Sequence, residues 1–167
     1  MAKRRRELDA AHCPGTAAVR ALRDAAVEFE PHLYAYVPHG GTAQSAQALG
    51  VDEHTVVKTL VMEDDARAPL LVLMHGDHEV STKALARELG VKHVEPCTQA
   101  TAERLTGYQV GGISPFGTRQ AMPVYAQASI RSLDRLLING GRRGFLVAIA
   151  PIVLEQILEV GWVDVAR

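Results

Sequence analysis

The chain has 167 residues, a net charge of −1 and a hydrophobic content of 47%, which is the composition of one ordinary globular domain. No apolar run approaches the roughly 20 residues that a membrane span needs, and no apolar stretch follows the basic start, Lys3 to Arg6, as a signal peptide would require. The composition therefore excludes a membrane span and a secretory signal and predicts a cytoplasmic protein, whereas the small net charge leaves an RNA partner open.

Capping and turn residues divide the first half of the chain into alternating helices and strands. Residues 1–15 are predicted to be a flexible basic leader. Thr16 is a predicted N-cap, and Gly50 and Gly90 are predicted to end helices, because glycine readily adopts the left-handed conformation found there. The predicted elements are a helix from Thr16 that includes Val27, a strand over 32–37, a helix over 42–49, strands over 56–62 and 70–74, a helix over 81–89 and a strand over 91–94.

The second half continues the alternation. A helix over 98–105 precedes the stretch 107–123, which is rich in Gly, Ser and Pro. The remaining predicted elements are strands over 124–127, 136–138 and 145–149, and a helix from Pro151 that ends before Gly161. Because no change of composition splits the chain, residues 16–167 are predicted to be a single α/β domain with a mixed sheet.

Lys58 is the first candidate functional residue. It lies in the hydrophobic run 56–62, where a cation is costly unless it is paired or reaches a polar cavity. In such a cavity a lysine can orient an ester carbonyl, bind a ribose or phosphate oxygen, or act as a base. The alternative is that strand alternation places Lys58 on the solvent face while its neighbours face the core.

Two glycine-rich segments are the other main candidates. In the segment from Gly107 to Gly117, the glycines let the backbone approach a ligand closely, and a turn at Pro115 leaves neighbouring N–H groups free to bind an oxyanion beside the hydroxyl of Ser114. A tight loop between strands explains the same pattern. The segment from Asn139 to Gly144 has the Asn-Gly signal of a hairpin turn. Its two arginines can also bind phosphates, and the sequence does not decide between these interpretations.

Other reactive residues carry less weight. His75 and His78 offer two metal ligands, but the segment has no partner cysteine or carboxylate motif, so neither a metal nor another cofactor is predicted. Cys97 with His93 suggests a thiol nucleophile, yet no third residue orients the pair. Cys13 and Cys97 form no CxxC motif, and both are predicted to be free thiols.

In combination, three segments resemble the YbaK/EbsC family, which contains free-standing Cys-tRNA(Pro) deacylases and is related to the editing domain of bacterial prolyl-tRNA synthetases. The segments are Val57-Lys58-Thr59-Leu60, Thr106 to Gly117 and Asn139 to Gly144. They occur in the family's order, and the resemblance extends from about Thr16 to Arg167.

The resemblance implies a mixed, barrel-like β-sheet surrounded by helices, with a cleft for the 3′-terminal adenosine of a tRNA and its aminoacyl group. It implies catalytic roles for Lys58, Gly111 and Gly112. The residues that it implies for substrate binding are Tyr36, Thr59, Ile113, Ser114, Pro115, Asn139, Gly140, Gly141 and Arg142.

The resemblance also implies an enzyme that needs no metal and no protein nucleophile. The thiolate of the substrate's own cysteine attacks the ester carbonyl and releases a cyclic thiolactone, an intramolecular reaction with a high effective molarity, and backbone N–H groups near Gly112 stabilise the oxyanion. Two positions differ from well-known members, since Asn139 replaces a serine and Leu146 replaces an aspartate. Both shape the amino-acid pocket, whereas Thr59 directly after Lys58 favours the cysteine-specific branch.

Three functions remain as hypotheses. The first is a Cys-tRNA(Pro) deacylase that acts on misacylated tRNA, alone or with prolyl- or cysteinyl-tRNA synthetase as a partner. The second is a deacylase for alanine or serine on tRNA. The third is a non-catalytic module that binds an aminoacyl-adenosine or a synthetase. The run from Lys3 to Arg6 is either an RNA- or partner-binding arm or a solvated tail.

Overall fold

The computed structural model describes residues 13–167, so the predicted leader, residues 1–15, lies almost wholly outside the described residues. Capping residues set the helix ends. The side chains of Thr16, Ser81 and Thr98 each accept a hydrogen bond from the backbone N–H three residues later, at 3.1 to 3.2 Å. The helices are α1 (Ala17–Asp24), α2 (Gly41–Leu49), α3 (Thr82–Leu89), α4 (Gln99–Thr106) and α5 (Ile152–Ile157). Within residues 13–167, no helix combines the length and the apolar character that a membrane crossing requires.

The strands form one mixed sheet. They are β1 (Glu30–Leu33), β2 (Val56–Asp64), β3 (Pro69–His75), β4 (Val94–Pro96), β5 (Val124–Gln127), β6 (Leu136–Arg142), β7 (Phe145–Ile149) and β8 (Val160–Val163). Their order is β1-β7-β6-β2-β3-β5-β8, and β4 pairs with β2. The pairs β2/β6, β3/β5 and β5/β8 are parallel, and the other pairs are antiparallel. The predicted mixed α/β sheet is therefore confirmed.

Helices cover both faces of this sheet. One core cluster packs α1, α4 and α5 against one face, where Leu22 and Phe145 are completely buried. A second cluster packs α3 against the opposite face around Leu85. Strand β2 contributes to both clusters, because Val57 belongs to the first and Met62 to the second. The alternating side chains of β2 thus have core on both sides, as in the central strand of a covered sheet.

β2 changes its partner halfway along its length. On the side away from β3, Val56 and Val57 pair with β6, whereas Met62 to Asp64 pair with β4. Residues 58–61 pair with β3 alone, apart from one bond that the N–H of Cys97 donates to the carbonyl oxygen of Val61 at 3.0 Å. β2 therefore borders a gap in the sheet, between β6 and β4.

Some element predictions are wrong in their bounds. α1 ends at Asp24, because the backbone of Ala26 adopts a positive φ of 54° and turns the chain before Val27. β1 begins at Glu30 and includes Pro31, which is tolerated there because β1 is an end strand of the sheet. The strand predicted over 91–94 lies at Val94–Pro96, and β8 replaces the predicted continuation of the last helix.

Candidate functional site

A cleft of about 910 Å³ opens at the gap beside β2. Its walls come from the connection between β1 and α2, from β2, from the start of α4 and the loop after it, and from the β6–β7 hairpin. The volume lies in the upper part of the range for small-molecule sites. The residues of the predicted site that line it are Tyr36, Lys58, Thr59, Gly111, Ile113 and Asn139.

Lys58 extends into this cleft from the middle of β2. Its Nζ lies 3.4 Å from the carbonyl oxygen of Gly76, a long hydrogen bond that leaves its other N–H groups for a ligand. The cleft, rather than bulk solvent, lies on this face of β2, because Val56 and Met62 on the same face are buried. Lys58 is therefore half-buried and directed at the cleft, and the alternative of a lysine on an open solvent face is wrong.

Thr59 brings three polar groups to the gap. The carbonyl of Val61 points away from β3, since it accepts the N–H of Cys97 on that side. Backbone groups alternate sides along a strand, so the N–H and C=O of Thr59, two residues earlier, point into the same gap. The hydroxyl of Thr59 is buried and has no hydrogen-bond partner among the described residues. A buried polar group without a partner is uncommon and indicates a place for a ligand or water.

The loop after α4 forms the opposite wall. Val110 N–H donates to Glu103 Oε2 at 2.9 Å, and Gly112 N–H donates to the carbonyl of Gln109 at 2.8 Å. The N–H of Gly111, which lies between them, has no hydrogen-bond acceptor within residues 13–167 and is available to a ligand. Gly111 has a φ of +93°, and a Cβ there would lie 2.5 Å from the hydroxyl oxygen of Tyr36, so both conformation and space require glycine.

Two side chains of the β6–β7 hairpin hold this loop in place. Asn139 Nδ2 donates to the carbonyl of Gly111 at 3.2 Å, and Asn139 Oδ1 accepts from Gly141 N–H and Arg142 N–H at 2.7 and 3.1 Å. Arg143 Nε donates to the carbonyl of Val110 at 2.9 Å. The Arg143 guanidinium also lies 5.4 Å from the centre of the Tyr36 ring, within the range of a cation–π contact.

Six predicted site residues lie outside the cleft lining. They are Gly112, Ser114, Pro115, Gly140, Gly141 and Arg142. Ser114 is completely buried and its hydroxyl accepts the N–H of Phe116 at 3.2 Å. A Cβ at Gly112 would lie 2.8 Å from the backbone nitrogen of Arg143, so this glycine allows the loop to pack against the hairpin. Pro115 lines a second pocket beside β3 and β5, and Arg142 is exposed to solvent.

The cleft also contains residues that the predicted site did not include. Among them are Tyr34, His39, Thr42, Cys97, Arg143 and Leu146, together with apolar residues of β2 and α4. Most of them follow a strand or precede a helix, positions to which the sequence assigned only a structural role. Arg143 and Leu146 were noted in the sequence, as a possible phosphate ligand and as a departure from relatives. The signal for Tyr34 was present as well, because two tyrosines alternate along the segment after Pro31.

Charge in the cleft is one-sided. Lys58 and Arg143 line it, whereas none of its lining residues, all within the described part of the chain, is an aspartate or glutamate. The cleft therefore favours an anionic or developing negative charge, such as a phosphate group or the oxyanion of an ester in reaction.

Cys97 lies in the cleft as a protonated thiol. Burial raises its pKa above the ordinary 9.0, and the nearby carboxylates of Glu63 and Glu95 raise it further against the opposing charge of Arg104. A thiol with a raised pKa is a poor nucleophile at neutral pH, because the thiolate is the reactive form. Cys97 can therefore contact a ligand but is not activated to attack one.

Comparison with known proteins identifies the class. Residues 38–157 match the family model of the aminoacyl-tRNA editing domain, and the chain belongs to this family. Its function class is accordingly the editing of aminoacyl-tRNA, in which a wrongly attached amino acid is removed from a tRNA.

Individual relatives agree with this assignment. The chain is 29% identical over 137 residues to the "Putative Cys-tRNA(Pro)/Cys-tRNA(Cys) deacylase EbsC" of Enterococcus faecalis, covering 81% of the chain and 84% of the relative. It is 31% identical over 102 residues to the proline–tRNA ligase of Shouchella clausii, covering 61% of the chain but only 18% of that longer protein. The resemblance to the YbaK/EbsC family is thus confirmed.

Solved structures share the fold. One, described as a "putative trans-editing enzyme for prolyl tRNA synthetase", superposes with a TM-score of 0.76 at 21% identity, covering 92% of the chain and 99% of that structure. Another, the hypothetical protein APE2540, superposes with a TM-score of 0.83 at 22% identity, covering 91% of the chain and all of that structure. At these identities the likeness shows the fold alone.

Proposed function

We propose that the chain is a trans-editing deacylase that releases cysteine from wrongly charged Cys-tRNA(Pro). The observation that carries the proposal is the position of Lys58 and Thr59 beside the gap between β6 and β4. There the half-buried cation of Lys58 and the unpaired polar groups of Thr59 face one cleft. The name of the Enterococcus faecalis relative supports cysteine as the amino acid and tRNA(Pro) as one carrier.

In the proposed reaction the substrate supplies the nucleophile. The sulfur of the esterified cysteine loses its proton and bonds to the ester carbonyl carbon. The bond from that carbon to the ribose oxygen then breaks, the ribose oxygen takes up a proton, and a cyclic thiolactone leaves. The cation of Lys58 favours the thiolate and the oxyanion, and the N–H groups of Thr59 and Gly111, which line the same cleft, are proposed to donate to the oxyanion.

The terminal nucleotide is proposed to bind at the mouth of the cleft. The Tyr36 ring is a surface on which adenine can stack, and the Arg143 guanidinium beside it can bind a backbone phosphate. Ile113 and Asn139 complete the wall. Gly112, Ser114, Pro115, Gly140, Gly141 and Arg142 are proposed to support this wall from behind.

The protonated state of the Cys97 thiol favours a nucleophile from the substrate over a nucleophile from the protein. Its thiol has a raised pKa, and the nearest histidine in sequence, His93, lies beside Glu95 at 3.9 Å rather than beside the thiol. Without an activating base, Cys97 does not provide the first step of a covalent mechanism. It is proposed instead to form part of the pocket for a small acyl group.

The proposal is tested by incubating the purified chain with Cys-tRNA(Pro), Ala-tRNA(Pro) and Ser-tRNA(Pro) in the presence of EDTA and following the loss of each amino acid. We expect rapid loss of cysteine alone. Lys58→Ala is expected to abolish it, and Lys83→Ala, which removes an exposed lysine on α3, is the matched control and should retain it.

Other outcomes of this assay would favour one of the alternative functions. Preferential release of alanine or serine would keep the deacylase class but exclude the substrate-thiol chemistry. Binding of aminoacyl-tRNA without any release would favour the binding-module hypothesis. Addition of prolyl- or cysteinyl-tRNA synthetase to the same assay shows whether tRNA selectivity depends on a synthetase partner, since a partner would raise the rate with the matching tRNA only.

A further inference from the structure

A cluster of three histidines and one aspartate lies where two turns meet beside the cleft. His54 belongs to the short 3₁₀ turn Glu53–Thr55 that leads into β2, and Asp77 and His78 belong to the turn that follows β3. His75, the last residue of β3, lies beneath them. The fold brings His54 to a segment from which it is separated by more than 20 residues, so the cluster is not visible as a motif in the sequence.

Asp77 lies close to the side chains of both His54 and His78. His54 Nδ1 lies 2.9 and 3.1 Å from the two carboxylate oxygens of Asp77, and His78 Nε2 lies 3.9 Å from Asp77 Oδ1. In a tetrahedral zinc site with bonds of about 2.1 Å, neighbouring ligand atoms are about 3.4 Å apart. The two separations from Asp77 lie on both sides of that value, and the His78 side chain must rotate toward His54 and Asp77 to complete a site with them.

The ring orientations allow His54 and His78 to share an ion. Their planes are inclined by 75° with centroids 5.6 Å apart, so rotation of the side chains can direct an in-plane lone pair of each ring at one position. His54 and His75, in contrast, are stacked with their planes only 9° apart at 3.8 Å. Lone pairs in parallel planes cannot meet at one ion, so His75 is a support and not a ligand.

His75 holds the site in place from within the core. It is completely buried, its Nδ1 donates to the carbonyl of His54 at 2.7 Å, and its Nε2 accepts from the hydroxyl of Ser129 at 2.7 Å. Both ring nitrogens are thus engaged, and the ring forms a fixed platform under His54. Supporting contacts of this kind orient metal ligands and reduce the entropy lost on binding.

We propose that His54, Asp77 and His78 bind a divalent transition-metal ion of the zinc class, with water completing its coordination. Two imidazole nitrogens and one carboxylate oxygen suit zinc, cobalt or nickel, whereas magnesium and calcium prefer oxygen ligands throughout. The ion joins the turn before β2 to the turn after β3. It is separate from the proposed deacylation, which is measured with EDTA present.

The position of the site links it to the cleft without making it catalytic. Gly76 lies between His75 and Asp77, and its carbonyl is the hydrogen-bond acceptor of Lys58 Nζ. The hydroxyl of Thr42, which lines the cleft, lies 2.9 Å from Glu53 Oε1 and 3.2 Å from the same Gly76 carbonyl, and its single proton is donated to one of these two acceptors. An ion on Asp77 and His78 therefore stiffens the turn that positions Lys58.

The test uses the full-length chain without an affinity tag, stripped with chelator and then dialysed free of it. Zn²⁺ and Co²⁺ are titrated by calorimetry and by visible absorption, and Mg²⁺ is the control ion. We expect one ion per chain, a cobalt spectrum typical of nitrogen and oxygen ligands, and a thermal midpoint that rises with zinc concentration, because the ion binds the folded chain.

Variants identify the ligands. His54→Ala, His78→Ala and Asp77→Asn are each expected to weaken zinc binding by about 100-fold or more, since even supporting residues contribute 10- to 100-fold. His93→Ala removes an exposed histidine that also lies beside a carboxylate, Glu95, and should leave binding unchanged. All three ligand side chains are partly exposed, so these variants should fold, and their unfolding curves in EDTA verify that.

Three results would overturn the proposal. One is the absence of zinc or cobalt binding to the unaltered chain. Another is binding that persists in all three ligand variants. The third is an intense near-ultraviolet thiolate band with Co²⁺, which would assign the ion to a cysteine. None of these results bears on deacylation, so the metal site and the proposed function fail or stand separately.

Discussion

At the scale of single residues, Thr59 is the position whose structure has the clearest chemical meaning. Its hydroxyl is buried without a partner among the described residues, and its backbone groups face the gap in the sheet. A native fold tolerates such a group when a ligand or water completes its hydrogen bonds. Lys58 precedes it and reaches the same cleft from the other face of β2.

Replacing Thr59 with valine tests whether its hydroxyl forms a hydrogen bond to the substrate. Thr59→Val removes the hydroxyl but keeps the shape and the backbone, so the free energy of unfolding should stay the same or rise by about 1 kcal/mol, since a buried unpaired group is lost. We expect kcat/KM for Cys-tRNA(Pro) to fall about 10-fold, the value of one hydrogen bond to substrate. Chemical denaturation and single-turnover deacylation measure both. Lower stability with unaltered deacylation would show that the hydroxyl serves the fold alone.

The two neighbouring arginines form a natural comparison. Both are exposed, but Arg143 contacts Tyr36 and Val110 and lines the cleft, whereas Arg142 does not line it. Arg143→Ala should therefore raise KM for the tRNA about 10-fold and reduce the salt dependence of binding by one phosphate contact. Arg142→Ala should change KM less than about twofold, because Arg142 is a surface charge that does not line the cleft. Equal effects of the two variants would mean that only diffuse positive charge matters.

His75 predicts how stability depends on pH. Burial lowers its pKa below the ordinary 6.5, with smaller contributions from the charges of His54 and His78, which the hydrogen bond to the His54 carbonyl and the charge of Asp77 oppose. The unfolded chain then binds a proton more readily, so the stability from this group is complete above pH 6.5 and is lost as the pH falls through the lower folded value.

Thermal unfolding between pH 7.5 and pH 5, with EDTA present, measures this loss. The unaltered chain should lose stability across this range, and His75→Gln, although less stable throughout, should lose less because the titrating ring is absent. Parallel curves for the two proteins would assign the pH dependence to other groups.

At the scale of elements, local signals and pairing partners were predicted with different success. Helix starts at Thr16, Ser81 and Thr98 were correct, because a cap depends only on residues within one turn. β8 was missed, because Val160 to Val163 is a short segment whose strand conformation depends on pairing with β5, far away in the sequence. The gap beside β2 was beyond prediction for the same reason, since it depends on where β6 and β4 stop pairing.

The candidate site divides in the same way. Lys58 is a candidate from the sequence because a cation is unusual in a hydrophobic strand, and Gly111 is one through the resemblance to the family; both line the cleft. Tyr34 and Cys97 reach the cleft only through the packing of β1 and β4 around β2, which the sequence does not display. Ser114 was chosen for its hydroxyl, yet the loop turns that hydroxyl into the protein.

The contact between the glycine-rich loop and the β6–β7 hairpin depends on Asn139. Asn139→Ala removes three hydrogen bonds and should lower the free energy of unfolding by about 1–3 kcal/mol. It should also reduce kcat more than it raises KM, because the N–H of Gly111 loses its fixed direction. Asn139→Ser retains a hydroxyl acceptor for the hairpin and should recover part of the stability. Chemical unfolding measures the change in stability of both variants, and steady-state kinetics measures their kcat and KM. An unaltered kcat in Asn139→Ala would exclude the positioning role.

At the scale of the whole molecule, the family match and the folded unit differ in extent. The match covers residues 38–157, but β1 and β8, the end strands of the sheet, lie outside it. So does α1, whose Ala18, Val19 and Leu22 are completely buried. The core of this chain is therefore completed by segments that lie outside the residues matching the family model.

A fragment of residues 38–157 should accordingly fail to fold cooperatively. It would expose the partners of α1 in the main core cluster and leave β7 and β5 as unprotected edges. Circular dichroism and thermal scanning, with the full chain as control, measure this. A sharp unfolding transition of the fragment would show that the end strands and α1 are dispensable.

The change of partner along β2 places the cleft at a seam in the sheet. Among the described residues, the β1-β7-β6 part pairs with the β2-β3-β5-β8 part only at Val56 with Leu137 and Val57 with Ile138. Lys58 follows directly after this seam, and the main core cluster packs side chains of both parts together, among them Val61 and Phe145. The width of the cleft beside Lys58 therefore depends on how that shared core is packed.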